Sequence, residues 1–288
     1  MKITDILTFG KPMLSMEVFP PKTQDAYSKI ESAVNEIAAL EPSFMSVTYG
    51  AGGGTSEFTA SIARDIQKNH GVTALAHLSC ISSDKDDIIA QINHLKKYGI
   101  ENILALRGDL PAGASYDEKR ELCYAYQLVQ IIKENGDFCV GGACYPEAHP
   151  ESENYRSDIA HLKHKVDAGC DFLTTQMFFD NDILYNFLYR AREAGIAVPI
   201  IAGIMPVTNA KQIKRIVSIS GNTLPPKFLR IVDRYGDDPA AMKQAGIAFA
   251  CEQIIDLYAN GINAVHLYTM NSPDVAAKIK SNISEIIK

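Results

Sequence analysis

The sequence has no run of basic residues, and its 28 Lys and Arg are outnumbered by 34 Asp and Glu, which gives a formal charge of −6 at pH 7. Nucleic-acid-binding proteins present a basic face, so the charge argues against this class of function. The N-terminal segment is too polar for the core of a signal peptide. The longest apolar run near the middle, residues 198–207, contains Gly and Pro and is too short to cross a bilayer. We therefore expect a cytoplasmic protein.

Redox, zinc and phosphate-loop motifs are also missing. The six cysteines show no CxxC spacing, and a chain of 288 residues needs no disulfide framework, so free thiols are expected. The glycine-rich residues 48–58, TYGAGGGTSEF, form neither G-x-G-x-x-G nor a Walker A sequence, and we interpret them as a loop that a ligand approaches closely. Asp158, His161 and His164 follow helical spacing, but such a face is usually solvated. No metal site is predicted.

The chain instead shows a regular alternation of apolar runs and amphipathic stretches. Hydrophobic residues make up 47% of the chain and charged residues 22%, as in ordinary globular proteins. Eight short runs rich in Val, Ile, Leu and Ala have the character of strands buried on both faces. These runs are residues 13–19, 44–50, 73–80, 102–108, 138–146, 172–179, 199–207 and 264–270. Between them lie helical patterns, such as Ile30, Val34 and Ile37 on one stripe.

Eight strand-like runs, each followed by a helical pattern, predict an α/β fold of the (β/α)8 TIM-barrel type. We expect a single domain over residues 1–288, with one or two extra helices in residues 221–260 before the eighth strand. A doubly wound open sheet is the alternative architecture. It would normally carry a glycine-rich first crossover, whereas the first crossover here is FPPKTQD, residues 19–25.

The polar residues that end the strand-like runs are candidate functional residues, because the C-terminal strand ends of such barrels form the active-site face. They are Glu17, Thr48, Tyr49, His77, Arg107, Asp109, Tyr145, Glu147, Gln176, Tyr268 and Asn271. Glu17 stands in an otherwise apolar run, where a carboxylate loses hydration. Two interpretations stay open at this point: a structural ion pair with an Arg or Lys, and a general acid tuned by burial.

Nine motifs, in order, resemble the methylenetetrahydrofolate reductase family: MEVFPPKT, VTYGAGG, LAHLSC, LALRGDLP, CYPEAHPE, LKHKVDAG, TTQMFFD, GIMPVTN and LYTMN. They span essentially the whole chain and match the short prokaryotic form, which consists of the catalytic barrel. The resemblance implies reduction of 5,10-methylenetetrahydrofolate to 5-methyltetrahydrofolate, with FAD carrying hydride from NADH or NADPH in a ping-pong reaction. One-carbon metabolism, methionine biosynthesis and a homo-oligomer are expected with it.

The resemblance also implies roles for individual residues. Glu17 would be the acid that promotes opening of the folate ring, and Asp109 would be a negative charge beside flavin and folate. The implied flavin contacts are Thr48, Tyr49, Ala51, His77, Arg107, Gly108, Asp109, Tyr124, Ala125, Tyr145, His149, Asp158, His161, His164 and Lys165. The implied substrate contacts are Glu17, Thr48, Asp109, Gln176 and Gln212.

The sequence departs from the family pattern in several places. His161 and His164 stand where Asn and Arg are expected on the flavin-binding helix. Ser272 stands where an Arg would meet the folate, and Ile216 replaces an aromatic residue near the stacked substrates. These departures predict an altered grip on the substrate or a different electron donor. The alternative functions are a flavoprotein subunit that receives electrons from a partner protein and a methyl-transfer barrel without flavin.

Overall fold

The computed structural model describes residues 1–7, 10–21, 24–49, 56–109, 122–213, 216 and 222–288. Its strands are β1 Met13–Val18, β2 Met45–Val47, β3 Ala74–Ser79, β4 Asn102–Leu106, β5 Cys139–Cys144, β6 Phe172–Thr175, β7 Ile200–Ile204 and β8 Ala264–Tyr268. Its helices are α1 Ile3–Ile6, α2 Tyr27–Ala38, α3 Ser56–His70, α4 Lys85–Lys97, α5 Ala125–Asn135, α6 Tyr155–Asp167, α7 Asn181–Glu193, α8 Pro226–Tyr235, α9 Pro239–Ala259 and α10 Pro273–Asn282.

The eight strands are parallel and close into a barrel in their order along the chain. The closing seam joins β8 to β1, where Glu17 is in register with Tyr268 and Ser15 with His266. The predicted TIM barrel is therefore confirmed, and the open sheet is wrong because it would leave these two strands unpaired. Helices α8 and α9, between β7 and β8, are the predicted extra helices.

The strands separate an outer core from an inner one, because successive side chains point to opposite faces. In β1, Leu14, Met16 and Val18 belong to the large core that joins the barrel wall to the helices. Met13 belongs instead to a smaller cluster inside the barrel. Ser15 and Glu17 alternate with the outward residues and so share the inner face with Met13. The polar residues of β1 therefore stand above an apolar floor.

The N-terminal end of the barrel is covered by α1. Ile3 is fully buried in the inner cluster. Asn102, at the start of β4, accepts a hydrogen bond from the Ile3 amide at 2.8 Å and donates to the carbonyls of Met1 and Ala74 at 3.0 and 3.2 Å. These bonds satisfy a buried amide and hold α1 in place. The strand ends that remain open to a ligand are the C-terminal ones.

The extra helices, the segment after β7 and one residue after β6 form a third apolar cluster. Its members are Phe179, Val207, Ile213, Ile216, Phe228, Met242 and Phe249. Helix α9 approaches the loop after β7 so closely that a Cβ on Gly246 would overlap the carbonyl oxygen of Val207. Glycine is required at this contact because no other residue lets the two backbones meet. The loop that leaves β7 therefore lies directly on α9.

Candidate active site

A cleft of about 1050 Å³ opens at the C-terminal ends of the strands. Each of the eight strands, or the loop that follows it, contributes at least one lining residue. The cleft reaches into the barrel as far as Leu75 and Leu104 of the inner apolar cluster. Its volume is just above the usual range of ligand pockets, about 300–1,000 Å³. A cleft in this position and of this size can hold a large ligand or two smaller ones.

Most of the residues predicted from the sequence come together in this cleft. Its lining includes Glu17, Thr48, Tyr49, His77, Arg107, Gly108, Asp109, Tyr124, Ala125, Tyr145, His149, Asp158, His161, His164, Lys165 and Gln176. Ala51 lies outside the described residues. Gln212 is not among the described lining residues. Its backbone N–H donates to the Asn209 carbonyl at 3.1 Å in the turn after β7. The binding role of each residue stays a prediction.

Two of the positions that depart from the family pattern lie outside the described lining of the cleft. Ile216 is buried in the third apolar cluster, to which Phe228 also belongs. Ser272 precedes α10, and its hydroxyl donates to the carbonyl of Met270 at 3.5 Å. Met270, two residues earlier, does line the cleft and is 45% exposed. The β8 loop therefore presents an apolar side chain to the cleft rather than a cation.

Glu17 points into the cleft from the inner face of β1, with 19% of its side chain exposed. Its Oε2 lies 3.4 Å from Ser46 Oγ, 3.6 Å from His77 Nε2 and 3.8 Å from His266 Nε2. Among the described residues, no Arg or Lys forms an ion pair with it. The ion-pair interpretation is therefore not supported, and the carboxyl group is surrounded by groups that can exchange protons or hydrogen bonds.

A chain of buried hydrogen bonds runs from Glu17 into the barrel. Ser46 Oγ lies 2.9 Å from His266 Nε2, and Ser15 Oγ lies 2.7 Å from His266 Nδ1 and donates to the Val265 carbonyl at 3.1 Å. When Glu17 is protonated, each hydroxyl and His266 can donate away from it. When Glu17 is ionised, Ser46 can donate to the carboxylate and accept from the imidazole. Each charge state thus has a satisfied arrangement of donors.

The backbone around Glu17 is fixed by the β8 loop. Thr269 Oγ1 donates to the Glu17 carbonyl at 2.6 Å. Asn271 accepts from the Phe19 amide at 3.0 Å and donates to the Phe19 carbonyl at 2.9 Å. Met270 and Asn271 both have left-handed backbone conformations, with φ of 52° and 51°, which non-glycine residues rarely adopt. The strain indicates that the surrounding contacts determine this loop.

His77 contributes an unpaired buried polar atom to the cleft wall, as Thr174 does with its Oγ1 among the described residues. The His77 side chain is 7% exposed, and its Nε2 has no hydrogen-bond partner among the described residues. Burial lowers the pKa of His77 from 6.5 to about 4, against the opposing effect of Glu17. The imidazole is therefore neutral at physiological pH, and its Nε2 is available to a ligand in the cleft.

The stability of the protein should depend on pH because His77 is buried. In the unfolded chain this imidazole takes up a proton near 6.5, whereas the folded protein resists protonation until about 4. The unfolded state binds more protons between these values, so the free energy of unfolding falls as pH drops below 6.5. At about pH 5 the loss should be roughly 2 kcal/mol. The free energy of unfolding in urea is measured at about pH 7 and pH 5. Its decrease between these pH values should be smaller by this amount in His77→Gln than in wild type. An equal decrease in the two proteins would contradict the prediction.

The outer wall of the cleft carries charged groups in defined pairs. Arg107, after β4, makes a bidentate ion pair with Glu151, at 2.5 and 2.7 Å. Asp158 is buried in the first turn of α6 and accepts from Ser152 Oγ at 2.9 Å and from the His149 amide at 3.1 Å. The loop after β5 is thus held to the start of α6 by Asp158, and Asp158 is a structural acceptor on the described contacts.

Rings and a buried amine form the rest of this wall. Tyr126 stacks on His164 at 4.3 Å between ring centres and lies 6.0 Å from the Tyr124 ring, so the three side chains form a column. Lys165 donates to the Ala143 carbonyl at 2.6 Å, and burial lowers its pKa. His164, at the position where an Arg was expected, is thus held as a ring against Tyr126.

Sequence reasoning missed Ser15, Ser46 and His266. Each is an isolated polar residue within an apolar strand, which is the same signal that singled out Glu17. His266 is 2% exposed and both serines are fully buried. Ser46 is in register with Glu17, whereas Ser15 and His266 are in register with each other one inward-facing position deeper in the barrel, below the strand ends. Among the described residues, no group of three or more His, Cys, Asp or Glu could hold a metal ion.

The closed parallel barrel and the polar cleft at its C-terminal strand ends define a TIM-barrel protein with the site geometry of an enzyme. The family follows from sequence comparison. The model of the methylenetetrahydrofolate reductase family matches residues 2–284, and the chain belongs to this family.

Bacterial and plant relatives agree with this assignment. A 5,10-methylenetetrahydrofolate reductase of Escherichia coli K12 is 36% identical over 270 residues, which cover 94% of this chain and 90% of the relative. A methylenetetrahydrofolate reductase (NADH) of Arabidopsis thaliana is 36% identical over 99% of this chain, which spans 50% of the plant protein. The match over 90% of the bacterial protein corresponds to the predicted short prokaryotic type.

A solved structure supports the fold alone. A protein from Clostridium thermocellum, described as binding two copies of 5-methyl-5,6,7,8-tetrahydrofolic acid, superposes with a TM-score of 0.63 at 14% identity and covers 98% of this chain and 99% of its own. No helix within the described parts of the chain has the length and apolar character needed to span a membrane.

Proposed function

We propose that this protein reduces 5,10-methylenetetrahydrofolate to 5-methyltetrahydrofolate, with FAD as the hydride carrier and NADH or NADPH as the donor in a ping-pong reaction. One observation carries the proposal: Glu17 enters the cleft at the end of a buried hydrogen-bond chain, without an Arg or Lys partner among the described residues. Such a carboxyl group is suited to proton transfer rather than to structural pairing. The names of the bacterial relatives support the same reaction.

The cleft fits a dinucleotide cofactor. Its volume of about 1050 Å³ accommodates a flavin and leaves space for a second ring. The orphaned Nε2 of His77 offers a hydrogen bond deep in the cleft, and Arg107 and Lys165 provide positive charge along its outer wall. When bound, FAD would supply the two-electron chemistry that amino-acid side chains lack. The residues expected to hold it lie at the ends of β2 to β5, in the loops that follow these strands, and along α6.

Glu17 would act on the folate as a general acid. Opening the five-membered ring of the substrate requires a proton on the departing nitrogen, and the resulting iminium carbon is the hydride acceptor. The protonated carboxyl group can donate to the cleft, and Ser46 can then donate to the carboxylate that remains. His266 and Ser15 can reverse their hydrogen bonds at the same time. This rearrangement would stabilise both charge states without a structural change.

Asp109 and Gln176 would position the substrates. Asp109, three residues after β4, is exposed and lines the cleft. Its negative charge there would favour a cationic folate intermediate. Gln176 follows β6, and its Oε1 accepts from the Met177 amide at 2.9 Å. This bond leaves the amide nitrogen of Gln176 as a donor for a ring in the cleft.

The presence of flavin tests the proposal at its first step. Protein purified without added cofactor should be yellow or should become yellow on incubation with FAD, with one flavin bound per chain. The measurement is the visible absorbance spectrum after removal of unbound FAD. A colourless protein that cannot be reconstituted would contradict the flavin-dependent reaction and would favour methyl transfer without a redox cofactor.

A further inference from the structure

The Glu151 carboxylate is paired with the guanidinium group of Arg107 inside the cleft. Both oxygens of the Glu151 carboxylate are used, one on each terminal nitrogen of Arg107, at 2.5 and 2.7 Å. Both residues line the cleft. A guanidinium group presents the same pair of parallel donors to a carboxylate and to a phosphate. The Glu151 carboxylate therefore stands where a phosphate of a ligand would bind Arg107.

An anionic ligand in the cleft would meet few positive charges besides that of Arg107. Among the described lining residues, Lys165 is the other Lys or Arg. Lys165 Nζ is directed to the Ala143 carbonyl at 2.6 Å in a buried position. A diphosphate in the outer part of the cleft would thus depend on Arg107 for a bidentate contact. The Glu151 carboxylate already uses the two nitrogens that would make this contact.

The Glu151 side chain can leave without unfolding its loop. The Glu151 side chain is 63% exposed, whereas the Arg107 side chain is 21% exposed. The backbone is held independently of the carboxylate, because the Glu151 amide donates to His149 Nδ1 at 3.1 Å and the next residue, Ser152, bonds to Asp158. The Arg107 hydrogen bond lowers the pKa of Glu151, so the carboxylate remains charged at neutral pH. Glu151 thus has a charged, exposed side chain on a backbone that separate hydrogen bonds hold in place.

We propose that Glu151 is an internal competitor of the cofactor diphosphate for Arg107, and that it sets how tightly and how selectively the cleft binds such ligands. This inference rests on the proposed function, because it assumes a diphosphate ligand in the cleft. A ligand must displace the carboxylate and then tolerate its negative charge nearby. Ligands without a diphosphate gain nothing from Arg107, so removing Glu151 should change their affinity little.

The test compares Glu151→Gln with wild type in the protein freed of cofactor. The glutamine keeps the size of the side chain but loses the charge. From the usual strength of exposed ion pairs, FAD should bind about two- to fivefold more tightly to the variant. ADP, which carries the diphosphate without the flavin, should show a similar gain, and riboflavin, which carries the flavin without phosphate, should show none. Dissociation constants come from flavin fluorescence quenching and, for ADP, from calorimetry.

Two controls make the outcome specific. Glu153→Gln, an exposed acid in the same loop, should leave all three affinities unchanged. In an Arg107→Gln background, Glu151→Gln should bring no further gain, because the competitor then has nothing to compete for. Unchanged or weaker binding of FAD and ADP to Glu151→Gln would overturn the inference and make Glu151 an orienting residue for Arg107. Failure of wild type to bind FAD would instead count against the proposed function, and the ADP comparison would still decide the role of Glu151.

Discussion

Glu17→Gln is expected to lose most of the folate half-reaction, by about 10²–10⁴-fold, while the flavin is still reduced by the nicotinamide donor. The amide keeps the shape of the side chain and its contact with Ser46, but it has no acidic proton. Hydride transfer from the donor to the flavin needs no proton from Glu17, so this step should continue at nearly the wild-type rate. The two half-reactions are measured separately by anaerobic stopped-flow absorbance of the flavin.

The split between the half-reactions is the informative result. Glu31→Gln, on an exposed face of α2, serves as a control and should leave both rates unchanged. An equal loss in both half-reactions would mean that Glu17 holds the cleft together rather than supplying a proton. The role of general acid would then be rejected, although the family assignment would stand.

Gly246→Ala is expected to destabilise the protein by about 3 kcal/mol or more. The added methyl group would overlap the carbonyl oxygen of Val207 and lie 2.8 Å from the carbonyl carbon. Neither atom belongs to a side chain that can rotate away, so α9 and the loop after β7 must separate. The gain in helix propensity from Gly to Ala, about 1 kcal/mol, is smaller than this cost.

The measurement is the free energy of unfolding in urea, with circular dichroism as the probe. Gln244→Ala, at an exposed position of α9, is the control and should change stability by less than about 0.5 kcal/mol. A Gly246→Ala protein as stable as wild type would show that α9 does not lie directly on the loop. Because Met205 of the cleft directly precedes this loop, the variant should also weaken ligand binding.

The barrel was predictable because each strand carries a local signal. A strand buried on both faces is a continuous run of apolar residues. In the helix that follows, the apolar residues recur with the helical period. Both patterns can be recognised within a short stretch of sequence. The position of Glu17 followed from the same logic, since strand alternation and the C-terminal strand ends fix where it points. Glu17 and most other predicted residues accordingly lie in one cleft.

The partners of these residues were not predictable, because they depend on register and on contacts between distant segments. His266 meets Ser15 and Ser46 only because β8 closes on β1 with this register. Arg107 and Glu151 are 44 residues apart and meet through two loops. Gln212 also follows a strand in the sequence but is not among the described lining residues, and its role stays a prediction.

Anaerobic titration of the flavin-loaded protein tests the central claim most directly. NADH or NADPH should bleach the flavin absorbance, and subsequent 5,10-methylenetetrahydrofolate should restore it with formation of one equivalent of 5-methyltetrahydrofolate. Bleaching by neither nucleotide, with reoxidation by the folate intact after chemical reduction, would contradict the nicotinamide donor and point to a partner protein. A chemically reduced flavin that the folate does not reoxidise would contradict the reductase function itself.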